Sequence, residues 1–86
     1  YRTQEMIIRH EAIHIAQDCK AGFGNYEREL LSPGQTGGMW PTLMEQTRRT
    51  IMNDYHPDDY PIEIEAYYYE NLSNEWVMSQ LRRWCD

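Results

Sequence analysis

His10 and His14 stand four residues apart with Glu11 beside the first, and this spacing constrains the local fold more than any other feature of the chain. Side chains four apart on an α-helix point to the same side, one turn above the other. Met6, Ile7, Ile13 and Gln17 fall on the same repeat, so an amphipathic helix is expected from about Thr3 to Lys20. Ala21-Gly22-Phe23-Gly24 ends it, glycine being the usual stop.

The remainder reads as further helices joined by loops. Tyr26 to Leu31 is compatible with a short helix. Ser32-Pro33-Gly34-Gln35-Thr36-Gly37-Gly38 reads as an irregular, flexible connection, since its Pro-Gly and Gly-Gly pairs leave no regular element. A second helix is expected from Pro41 or Thr42, with Thr42 and Glu45 at capping-box spacing. It ends by Tyr55, because His56 precedes Pro57. A third runs from about Pro61 to Trp84, with Ile64, Tyr67, Tyr68, Leu72, Trp76, Met78, Leu81 and Trp84 on its buried side. Its weak stretch is Asn71 to Asn74, where it kinks or restarts at Ser73. No segment reads securely as a strand. The expected class is therefore all-α: three main helices in one small domain over residues 1–86, a chain that starts at Tyr1 and is open to being a fragment.

A net charge of −6 argues against a nucleic-acid partner, since no broad basic face neutralises phosphates. No apolar run approaches membrane-spanning length. Cys19 and Cys85 do not form a Cys-x-x-Cys pair, which argues against a thiolate zinc site.

Two imidazoles on one helical face suit a zinc ion, and a catalytic zinc takes three protein ligands and keeps a position for water. Glu11 then lies where it can accept a proton. The third ligand must come from elsewhere, from His56 or from Glu63, Glu65 and Glu70 on the third helix. His56 reads better as a turn residue. His10-Glu11-Ala12-Ile13-His14, followed downstream by Glu63-Ile64-Glu65-Ala66, resembles the gluzincin-type zinc metallopeptidases. The resemblance implies Zn2+ held by His10, His14 and Glu63, with Glu11 as general base. Glu70 stands next to Glu63 as an alternative ligand, and Glu65 after it. Gln17 fits a His-Glu-x-x-His-x-x-Gln variant and reads as an outer partner of the site. The chain departs from the family in one respect: the β-sheet that usually precedes the metal helix does not fit into nine residues.

On this reading the zinc site lies between the first and third helices. Tyr67, one turn from Glu63, is the tyrosine best placed to stabilise an oxyanion. The function expected is a zinc-dependent hydrolase, a metallopeptidase acting on a peptide or protein. The alternative is a non-catalytic zinc-stabilised structural or adaptor domain, meeting protein partners through exposed aromatics. With both helices anchored at the metal, a straight third helix carries Cys85 about 33 Å from the site and Cys19 only about 7 to 8 Å. Two free thiols are then expected, and only a sharp turn near Ser73 would permit a disulfide.

Overall fold

The computed structural model describes residues 2–22 and 27–86, and among these there are five α-helices and no strand. Helix α1 spans Gln4–Ala21, α2 Thr36–Met39, α3 Glu45–Asp54, α4 Tyr60–Tyr69 and α5 Asn74–Cys85. Two 3-10 turns, Trp40–Thr42 and Pro57–Asp59, lead into the third and fourth helices. None of these helices is long and apolar enough to cross a membrane.

Helix α1 matches its expected bounds closely. The Thr3 hydroxyl accepts from the Met6 amide at 3.2 Å, and Gly22, at φ 99°, donates its amide to Asp18 and Cys19 carbonyls. Its buried residues are His10, Ile13, His14, Ala16 and Gln17, whereas Ile7 turns outward at 44% exposure. The fully buried Ala16 and Ala66 let α1 and α4 pack closely in one core with Ile13, Leu31, Met39, Tyr69 and Val77. A second cluster, Leu43, Ile51 and Tyr67, seats α3 against the other side of α4.

The expected third helix is two helices. Helix α4 ends at Tyr69, and the Ser73 hydroxyl then accepts from the Trp76 amide at 3.1 Å, capping α5. The break turns α5 back along α1, so the helical rise past Glu63 does not accumulate in one direction. Cys19 and Cys85 consequently form a disulfide, with Cα atoms 5.1 Å apart, and the expectation of free thiols is overturned.

Three smaller expectations also change. Helix α2 passes through Gly37 and Gly38, a stretch read as irregular, because it buries Met39 in the core. Helix α3 starts at Glu45, not at Pro41 or Thr42. The Thr42 hydroxyl donates to the Met39 carbonyl, so it caps nothing, and Leu43 enters the core in extended conformation. The short helix considered over Tyr26 to Leu31 begins outside the described residues, and 27–31 are not helical. The Glu29 amide there donates to the Gln17 carbonyl at 3.3 Å. The large apolar side chains exposed among the described residues are isoleucines and methionines; Trp40, Trp76 and Trp84 are half-buried.

Candidate metal centre

The facing sides of α1 and α4 bring His10, His14 and Glu63 together. Their candidate ligand atoms all lie within 4.8 Å of one another, and all three residues are buried. His10 Nε2 is 3.1 Å from Glu63 Oε1, and His14 Nε2 is 3.3 Å from the same oxygen and 3.2 Å from Oε2. The two rings meet edge to face, their centroids 4.8 Å apart.

What fixes the rings lies behind them. His10 Nδ1 donates to Glu70 Oε1 at 2.7 Å, and His14 Nδ1 donates to Gln17 Oε1 at 2.8 Å. Each Nδ1 thus carries a hydrogen toward an oxygen, and each Nε2 is the atom aimed inward. Arg2 grips Glu70 with two hydrogen bonds, of 2.9 and 3.0 Å, and its guanidinium lies over the Tyr67 ring. Glu70, an alternative third ligand from sequence, therefore serves His10 from outside the centre. Glu65, the other alternative, faces away from it and accepts from Gln17 and from the Leu31 and Ser32 amides.

Two nitrogen lone pairs and a carboxylate converging in a buried space repel unless a cation or proton lies among them. Without a metal, a proton takes that place. Burial works against charge on His10, but its bonds to Glu63 and Glu70 outweigh burial and raise its pKa. Burial likewise favours a neutral Glu63, yet the bonds from His10 and His14 prevail and lower its pKa to about 2.

Of the other expected residues, Tyr67 touches this centre. Glu11 is exposed and makes no hydrogen bond or ion pair among the described residues. Tyr67 is buried, its ring 4.4 Å from that of His10 and its hydroxyl 3.4 Å from the Tyr55 hydroxyl. Burial, the Tyr67 hydroxyl and the charge of Glu63 all hold the Tyr55 phenol protonated well above its ordinary range. His56 lies outside the cluster, exposed in a turn, where Nδ1 accepts from the Asp58 amide.

Sequence reasoning missed Arg2 and the outer role of Glu70. Glu70 had a usable signal: it is seven residues from Glu63, hence on the same helical face. Arg2 had none, since it lies before α1 begins and reaches Glu70 only through the tertiary fold. Comparison of the chain with protein-family models, curated proteins and solved structures finds no match.

Proposed function

We propose that this protein binds one divalent zinc ion at His10, His14 and Glu63 and uses it for hydrolysis, in the manner of the gluzincin-type metallopeptidases its motifs resemble. The observation that carries the reading is the pair of inward Nε2 atoms, each held by an oxygen behind its ring, meeting one carboxylate. Two imidazoles and a carboxylate are a donor set suited to zinc. Formal charge fits as well. The carboxylates of Glu63, Glu65 and Glu70 against the guanidinium of Arg2 leave −2, which a divalent cation cancels.

Three protein ligands, and no fourth among the described residues, match a catalytic site better than a closed structural one. The ion, when bound, supplies Lewis acidity and an activated water near neutral pH. Glu11, without another partner among the described residues, is available to accept and return a proton. The paired hydroxyls of Tyr67 and Tyr55 offer further hydrogen-bond donors, and the Tyr67 ring packs against His10. The substrate class proposed is a peptide or protein. The disulfide fits an oxidising compartment.

A second reading has its own support. His10, His14 and Glu63 are only 3%, 6% and 5% exposed, a degree of burial that also suits a zinc-stabilised structural or adaptor domain. One experiment separates the two. Zinc-loaded protein is incubated with a mixed peptide library, beside the Glu11→Gln variant. Cleavage that the variant loses while keeping its zinc supports the hydrolase; full zinc loading with no cleavage by the parent protein supports the structural reading.

A further inference from the structure

We propose that Glu65 is a positioning residue for His14, acting through the Gln17 carboxamide; the inference deepens the metal-site reading and rests on it. Gln17 and Glu65 are both fully buried, and neither touches Glu63 or the inward face of the histidines by any hydrogen bond.

The two ends of the Gln17 amide meet opposite demands. Gln17 Nε2 donates to the Ile62 carbonyl at 3.2 Å and to Glu65 Oε1 at 3.0 Å, while its Oε1 accepts from His14 Nδ1 at 2.8 Å. Turning the amide over would set its oxygen against a carbonyl and a carboxylate. It would also aim an N–H at His14 Nδ1, driving the ring's proton to Nε2, the atom turned toward Glu63. A protonated Nε2 cannot ligate a metal. The Glu65 carboxylate, together with the Ile62 carbonyl, therefore selects the orientation of Gln17, and Gln17 selects the tautomer of His14. Glu65 performs this while holding two further partners. Its Oε1 also accepts from the Leu31 amide at 2.7 Å, and its Oε2 from the Ser32 amide at 2.8 Å. One carboxylate thus couples the seating of the segment before α2 to the readiness of a metal ligand.

A double-mutant cycle tests this. Zinc affinity is measured by chelator competition for the parent protein, Glu65→Gln, Gln17→Met and the double variant. Outer partners of metal ligands are worth about ten- to a hundredfold in affinity. Glu65→Gln is expected to weaken zinc binding about tenfold in the parent, and by less than about twofold once Gln17 is methionine. An equal loss in both backgrounds, or no loss in either, would overturn the relay. The metal-free proteins give an independent readout, the imidazole 15N shifts of His14 at alkaline pH. The relay predicts an Nδ1–H form in the parent and a larger Nε2–H share in Glu65→Gln. The same tautomer mixture in both overturns it. A parent that shows this tautomer dependence but takes up no zinc would sink the metal-site reading and leave the relay standing.

Discussion

Glu63 in α4 and Glu70 at its C-cap, seven residues apart, have opposite duties: one carboxylate faces both histidines, the other orients one of them from behind. The difference comes from Arg2, which neutralises Glu70 and keeps it outside the centre. Glu70→Gln should therefore weaken zinc binding about ten- to a hundredfold without abolishing it. Glu63→Gln, which removes a ligand, should abolish stoichiometric binding; isothermal titration of both variants checks the contrast. Glu11→Gln should lower peptide hydrolysis by about two to four orders of magnitude at unchanged zinc content. The residues of the centre were legible in the sequence because helical spacing aligns His10 with His14, and the Glu63-x-x-Ala66 pattern singles out one acid. Arg2 and the Tyr55–Tyr67 contact were not, since each joins segments whose approach only the folded chain defines.

The elements show where local signals suffice and where packing overrides them. Helix α1 carries a threonine cap and a glycine stop, and both act as local chemistry suggests. The break between α4 and α5 was half legible. Ser73 supplies a start signal for α5, yet neither glycine nor proline marks the end of α4. Ser73→Ala should therefore cost about 1 kcal/mol of stability, readable by thermal or urea unfolding. The helical turn through Gly37 and Gly38 runs against propensity, and burial of Met39 explains it. The bridge between Cys19 and Cys85 spans 66 residues, so reduction should remove roughly 4 kcal/mol of stability on the chain-entropy account. A chevron or urea melt with and without reductant measures that loss.

At the scale of the whole molecule, a small domain couples its stability to the charge state of its centre. In the metal-free protein Glu63 and His10 act in opposite pH directions. Glu63, lowered from 4.5 to about 2, contributes stability above the first value that is lost as pH falls toward the second. His10, raised from 6.5, contributes stability below that value that is lost as pH rises through its folded pKa. Both contributions are present between 4.5 and 6.5, so the metal-free melting temperature should peak in that window. The decline above it should vanish in His10→Ala. On the proposed reading zinc would compete with the His10 proton, so the loaded protein should instead gain melting temperature as pH rises above 6.5.

The most direct test of the central claim is zinc stoichiometry with X-ray absorption on the purified chain. The account predicts one tightly held zinc per chain with two imidazole nitrogens and carboxylate oxygen at about 2.0–2.2 Å, and no stoichiometric zinc in His14→Ala. Zinc below about half an equivalent after titration, or full binding that survives His14→Ala, would contradict it.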